Sequence, residues 1–198
     1  MRGVTRETTI RSQVMRKCLL LCVGALALAA LPFARAQDDP ATLERKVKAA
    51  FLYKFAGYIE WPDGTFAAPD APIAIGVAGD DALAAELSQV VTGRNVEGRL
   101  LAVRRLQESE PVAGLQILFV SHAERARLGA LARAHPMQPL LIVSESDGAL
   151  NHGSAINFLL TGGRVRFEIA LDNAEKRNLK LSSRLLSVAH SVRTGAPP

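Results

Sequence analysis

Leu115-Gln116-Ile117-Leu118-Phe119-Val120-Ser121-His122-Ala123-Glu124 is the stretch whose reading decides the fold. Its apolar run, broken only at Gln116, is what a strand covered on both faces requires. Ser121 and Glu124 follow in S-x-x-E spacing, so a capping box is expected to open a helix through about Ala134. Pro136 closes that helix, and Leu140 to Val143 supplies another short buried strand. Strand, helix and strand in this order make a parallel pair with a crossover helix. Upstream, Ile73, Ile75 and Val77 alternate with Ala74, Gly76 and Ala78, a strand whose second face is small enough to sit under a helix. Asp80-Asp81 can cap a helix to about Val91. Thr92 to Asn95 is a turn, and Val96 to Leu106 reads as one strand with basic residues on its exposed positions. Downstream, Ala155 to Leu160 and Arg164 to Leu171 flank Thr161-Gly162-Gly163, a hairpin signal. Asp172 with Glu175 can form a second capping box, and a last helix runs from about Ser183 to Ser191. The pattern predicts an α/β fold: a largely parallel mixed sheet of about five to six strands, helices on both faces, and a C-terminal β-hairpin and helix.

The chain opens differently. Residues 1–36 hold six basic residues and Glu7 as their one acid. The whole chain has 24 Lys+Arg and 19 Asp+Glu, which leaves 18 of each sign after residue 36. The net charge of +5 therefore belongs to the leader, and composition gives no support to a nucleic-acid surface on the remainder. Arg16-Lys17, the apolar run Cys18 to Leu31, and Ala34-Arg35-Ala36 are the three parts of a secretory signal peptide, with cleavage after Ala36. The run is shorter than the ~20 apolar residues of a membrane-spanning helix. Met15 starts a tidier signal than Met1 does, and Leu21 before Cys22 disfavours a lipoprotein site. Cleavage removes both cysteines, so disulfides and thiolate chemistry are excluded from the secreted portion. Residues 37–42 read as a flexible start, 43–194 as one α/β domain, and 195–198 as a tail. Within the domain, Val47, Phe51, Phe55 and Tyr58 recur at helical spacing from Leu43 to Tyr58, and Trp61-Pro62-Asp63-Gly64 is expected to stop that helix.

Candidate chemistry is sparse. Gly76-Val77-Ala78-Gly79 is spaced G-x-x-G, not as a dinucleotide or P-loop fingerprint, and reads as a turn. None of His122, His135, His152 and His190 is paired at i,i+4 or set near a cysteine, so no metal site is expected. Ser121-His122 lacks a nucleophile elbow, and the expected cap accounts for the serine. Glu145 and Asp147, and the aromatic pair Tyr58 and Trp61, read first as a solvated turn and as packing at a helix end. Gly153 to Glu168 is more informative. By the two-residue period, Arg164, Arg166 and Glu168 share one side of a strand and Val165, Phe167 and Ile169 the other. The charged side faces either water or an anionic partner. Asn157 interrupts an apolar run on the facing strand, and Glu145 is expected to pair with it or with an arginine.

Val47 to Phe55 ending in Trp61-Pro62, Ile75-Gly76-Val77, Ile117 to Val120, and Val143-Ser144-Glu145 resemble the YfiR family. So do Gly153-x-x-Ile156-Asn157-Phe158, Gly163 to Ile169, and Leu179 to Leu186, the most specific blocks. The resemblance implies a periplasmic α/β protein, often a homodimer, without catalytic activity. It implies docking on the periplasmic sensing domain of an inner-membrane diguanylate cyclase, held inactive, so that release raises cyclic di-GMP and biofilm formation. Other relatives accompany sensor kinases and outer-membrane receptors. The resemblance also implies a redox response through disulfides. A chain without cysteine after residue 36 has no such switch, and roughly 2–4 kcal/mol per missing bridge has to come from packing.

Together these readings predict a non-enzymatic regulator with no cofactor. Its expected contact residues are Phe51, Phe55, Tyr58, Arg164, Arg166 and Glu168, with Glu145 and Asn157 supporting a pocket for a small-molecule ligand. The alternative is a periplasmic small-molecule-binding protein serving uptake or a sensor kinase.

Overall fold

The structure, a computed structural model, describes residues 39–108 and 110–195; the expected signal peptide lies outside them. Helix α1 spans Pro40–Ala56, three residues earlier than the periodicity alone indicates. Proline at the first helical turn is the reason, because its fixed φ is already helical and its missing N–H is not needed there. Residues 40–42, expected to be flexible, therefore belong to the helix. It buries Ala49, Leu52, Phe55 and Ala56 and ends at Gly57, before the Trp61-Pro62 signal. The chain instead forms β1 (Ile59–Glu60), paired antiparallel with β9 (Lys180–Leu181).

The main sheet contains eight strands rather than five or six. In chain order its members are β2 (Ile73–Ala78), β3 (Asn95–Val96), β4 (Arg99–Leu106), β5 (Ile117–Val120), β6 (Leu141–Ser144), β7 (Ile156–Thr161), β8 (Arg164–Ala170) and β10 (Ser191–Arg193). Across the sheet the order is β10-β8-β7-β6-β5-β2-β4-β3. The strands β4, β2, β5, β6 and β7 are mutually parallel, β3 is antiparallel to β4, and β8 with β10 run opposite to β7. One of the two added strands comes from the division of a longer one. The expected strand over 96–106 is a hairpin, β3–β4, turned by Glu97 and Gly98 at φ of 51° and 80°. The other, β10, lies where the last helix was expected to continue; that helix, α5 (Ser183–Val188), is shorter.

Helices cover both faces. One apolar cluster joins Leu52 and Phe55 of α1, Leu83 and Leu87 of α2 (Asp81–Val91), and Ile75, Phe119, Val143, Phe158 and Phe167 from the sheet. The second, on the opposite face, joins Leu118, Val120 and Ile142 to Leu128 of α3 (Arg125–Ala134). Asp80 caps α2 as expected, its carboxylate accepting from the Leu83 N–H at 2.8 Å. On the small face of β2, Gly76 lies under two leucines, and Ala78 joins the cluster that contains Leu128 of α3. A Cβ on Gly76 would come within 2.4 Å of Leu115 Cδ1 and 2.7 Å of Leu106 Cδ1.

Two expected capping boxes do not form. After β5 the chain makes a short 3-10 turn, His122–Glu124, before α3, and Ser121 Oγ caps nothing. Glu124 pairs instead with Arg127 at 2.9 Å. Asp172 lies inside α4 (Leu171–Glu175), so it cannot cap that helix from outside, and it bonds Lys176.

Candidate functional site

Register places one element beyond the rest of the sheet. The last residue of β6, Ser144, pairs with Asn157, the second residue of β7. Phe158 to Thr161 and their partners Phe167 to Arg164 on β8 thus extend about 13 Å past the carboxyl edge of β6. This is the edge at which ligands of open α/β sheets are bound, beside the loops after β2, β5 and β6. The hairpin turn Gly162-Gly163 has φ of 57° and 72°, the primed-turn geometry that glycine adopts without strain.

The two faces of this hairpin do different work. Phe158 and Phe167 point to the α1 side, where Phe51 and Phe55 meet them. Phe55 lies edge-on to Phe167 with ring centroids 5.2 Å apart and stacks on Phe158 at 5.9 Å. Phe51 meets Phe167 edge-on at 5.3 Å. Four rings at these separations lock α1 to the hairpin, each pair adding about 0.5–1.5 kcal/mol to area burial. Phe55 is fully buried and Phe51 half-buried, so the α1 aromatics are core anchors of the isolated chain rather than an open surface. Tyr58 lies past the far end of α1, a helix about 25 Å long, and is well separated from the hairpin tip.

Arg164, Arg166 and Glu168 share the opposite face, as the two-residue period predicts. Arg164 and Arg166 are exposed. Glu168 is half-buried, and its Oε1 accepts from Asn157 Nδ2 at 3.0 Å. Asn157 therefore pairs with Glu168 and not with Glu145. Ser144, Asn157, Glu168 and Ser191 stand in register across β6, β7, β8 and β10, a polar row on the α3 side of the sheet. Asn157 Oδ1, on that row, is buried without a hydrogen-bond partner.

Glu145 faces the other way. Its Oε2 accepts from Lys48 Nζ of α1 at 2.5 Å, and its Oε1 from the His122 backbone N–H at 3.1 Å. Lys48 also bonds Glu44 one turn earlier. One carboxylate thus ties α1 to the loops after β5 and β6, and the sheet separates it from Asn157. A cavity of about 240 Å³ beside it is lined by Glu44, Lys48, His122, Glu145 and Phe158 to Leu160. Burial pulls the Lys48 ammonium down, but hydrogen bonds to Glu145 and Glu44 outweigh it and hold its pKa above the ordinary 10.5. Because the folded value is raised, the stabilisation is complete below pH 10.5 and disappears as pH rises through the folded pKa. Lys48→Met is accordingly expected to be less stable than the natural chain by a constant margin from pH 7 to 9, the margin narrowing above pH 10.5. Urea unfolding at each pH measures it, and a margin unchanged at high pH would show that the ion pair is not its source.

Lys48 was not singled out in the sequence, because its partner is 97 residues away. A larger cleft of about 660 Å³ lies by β1 and β9, lined by Tyr58, Trp61, Phe66, Glu97, Arg99 and Lys180 among others. Arg99 stacks on Phe66 with its guanidinium carbon 3.8 Å from the ring centre. Ser121 Oγ is buried against the Gly79 turn, where a Cβ on Gly79 would reach it at 2.4 Å, and so it offers no accessible nucleophile. Among the described residues there is no group of three or more His, Cys, Asp or Glu placed to hold a metal, and no helix long and apolar enough to cross a membrane.

A crystal structure of a conserved domain protein from Vibrio cholerae O1 biovar eltor superposes with a TM-score of 0.52 at 10% sequence identity. The match covers 75% of this chain and 60% of that one, and at such identity it speaks for the fold alone. Among curated proteins, none matches the sequence. The sequence model of the YfiR/HmsC-like family matches residues 45–190, which include most of α1, both hairpins and α5. The chain belongs to the YfiR/HmsC-like family.

Proposed function

We propose that the protein is exported to the periplasm and regulates an inner-membrane signalling protein, repressing a diguanylate cyclase and so lowering cyclic di-GMP. It acts as a non-catalytic docking module, presenting the end of α1 and the β7–β8 hairpin to the partner's periplasmic domain. Family membership supports the regulatory reading. The observation that carries the docking surface is the composition of the projecting end. Arg164 and Arg166 stand exposed on one face of a hairpin held rigid by four phenylalanine rings. On its other face Leu160, 62% exposed, borders an apolar groove with Val165 and with Val47 and Leu43 of α1, the last 55% exposed. Exposed arginines carried on a rigid hairpin beside apolar surface suit a protein interface, where arginine is enriched among hot-spot residues. A docked regulator changes its partner only through unequal affinity for two partner states; about 5.5 kcal/mol of difference carries a population from 1:99 to 99:1.

The test is capture of the partner from solubilised inner membranes. Arg164→Glu with Arg166→Glu is expected to weaken capture at least tenfold, about 1.4 kcal/mol. Exposed substitutions of this kind shift stability by no more than about 0.5 kcal/mol, so Tm is expected to move by under about 2 °C. In cells the same variant is expected to raise cyclic di-GMP to the level of a gene deletion. Undiminished capture by the folded double variant would remove this surface. A second reading, a periplasmic solute-binding protein, is favoured by the open cleft around Tyr58, Trp61 and Phe66, and is distinguished by solute binding that Trp61→Ala abolishes while partner capture persists.

A further inference from the structure

On the α3 side of the molecule, far along the sheet from the projecting hairpin turn, a cleft of about 590 Å³ opens between the end of α3 and α4. Arg133, Met137, Asn151, His152, Lys176 and Arg177 are among its lining, and no acidic side chain lines it. Arg177 is 5% exposed. Its guanidinium donates only to backbone carbonyls at the end of α3: Ala132 O at 2.9 Å, Gln138 O at 3.4 Å, and His135 O. Its charge therefore meets no carboxylate. Outside the lining, Arg193 Nη1 donates to Asn151 Oδ1 at 2.7 Å, while Arg193 Nε is buried without an acceptor. Asp172 is the carboxylate paired with this group, through Oδ2 to Lys176 at 3.2 Å; its Oδ1 is buried without a donor. Two guanidinium groups, Arg133 and Arg177, and the Lys176 ammonium thus line one cleft with a single carboxylate, Asp172, paired to the ammonium.

Arg177 is satisfied by carbonyls at the end of α3, so the donors left for an anion in this cleft are the exposed Arg133 and Lys176, whose like charges favour an anion between them. The N–H forks of arginine match the oxygens of a phosphate group better than any other common anion, and Lys176 adds a point charge. Asn173 Nδ2 fixes the floor by donating to Leu150 O and Ser154 O at 2.7 and 2.8 Å, so α4 is held in place without a ligand. We propose that this cleft is a binding site for a phosphate group, carried either by a small soluble phosphate ester or by a phospholipid headgroup. The site is independent of the docking surface and shares no residue with it.

Titration of the full chain with inorganic phosphate and with glycerol phosphate, in chloride buffer at constant ionic strength, is expected to give saturable binding. Arg133→Gln with Lys176→Gln, both exposed side chains, is expected to raise the dissociation constant at least tenfold while partner capture stays unchanged. Sedimentation with phosphatidylglycerol and with phosphatidylcholine vesicles separates the sources. Tighter binding of glycerol phosphate than of either vesicle assigns a soluble ester, whereas sedimentation with phosphatidylglycerol that the double variant loses assigns a headgroup. Absence of saturation with every probe overturns the proposal, as does an equal dissociation constant in the double variant. If the double variant fails to fold, Arg133→Gln alone, which breaks no hydrogen bond, supplies the comparison, and unchanged phosphate affinity in it counts against the site.

Discussion

Phe55→Ala is expected to cost about 3–5 kcal/mol of folding stability and to lower Tm by roughly 10 °C. The ring has no exposed surface and touches Phe51, Phe158 and Phe167 at once, so its removal opens a cavity where α1 meets the hairpin. A collapse of α1 into that space is opposed by the Lys48–Glu145 tie above it. Phe51→Ala is expected to cost less, because that ring is half-exposed. Thermal unfolding of the two variants gives the order, and an equal or reversed order would show that the seam is not organised around Phe55. The same residue also tests whether α1 aromatics touch a partner. Phe55→Leu keeps most of the packing and is expected to capture the partner fully; a stable Phe55→Leu that loses capture would make the ring itself a contact.

That distinction shows where sequence reasoning on the site runs out. Helical spacing identifies Phe51, Phe55 and Tyr58 as one stripe, but a stripe reads alike whether it meets the protein's own sheet or a partner. Only the register of β7 against β6 shows that the hairpin projects far enough to receive two of the rings. The buried strands were legible, since unbroken apolar runs such as Ile117 to Val120 have no other use in a chain of this polarity. The glycine pair at 162–163 was legible for the same local reason. Arg164 and Arg166 fall on one face because strand alternation has no freedom to do otherwise. The missed features are non-local. Three-residue β10 exists because the edge of β8 offers parallel partners to Ser191–Arg193, and nothing in those residues announces it. Ser121 and Glu124 have a capping box's spacing, yet the tight turn under Gly79 takes the serine inward and leaves Glu124 to Arg127.

Arg177→Met is expected to cost about 2–4 kcal/mol, the next largest effect after the Phe55 truncation. A lone arginine in Glu175-Lys176-Arg177-Asn178 has no sequence feature that separates it from its solvated neighbours. Yet it is the buried member, and its guanidinium closes the open end of α3 by bonding carbonyls of Ala132, His135 and Gln138. A helix leaves its last four carbonyls without internal partners, and they carry the negative end of the dipole. Burial lowers the Arg177 pKa from its ordinary value, but an arginine stays charged at every pH at which the protein works. Methionine fills similar volume and bonds none of those oxygens, so each carbonyl that water does not reach costs about 1–3 kcal/mol. Relief of the arginine's own desolvation offsets part of this, which keeps the expected loss below the sum. Arg177→Lys is expected to fall between, because one ammonium on a flexible stem cannot span three oxygens arranged for a planar fork. Hydrogen exchange locates the effect: amides of α3 are expected to lose protection in Arg177→Met ahead of those in β5 and β6. Uniform loss of protection across the sheet would mean that Arg177 supports the whole fold and not the end of one helix.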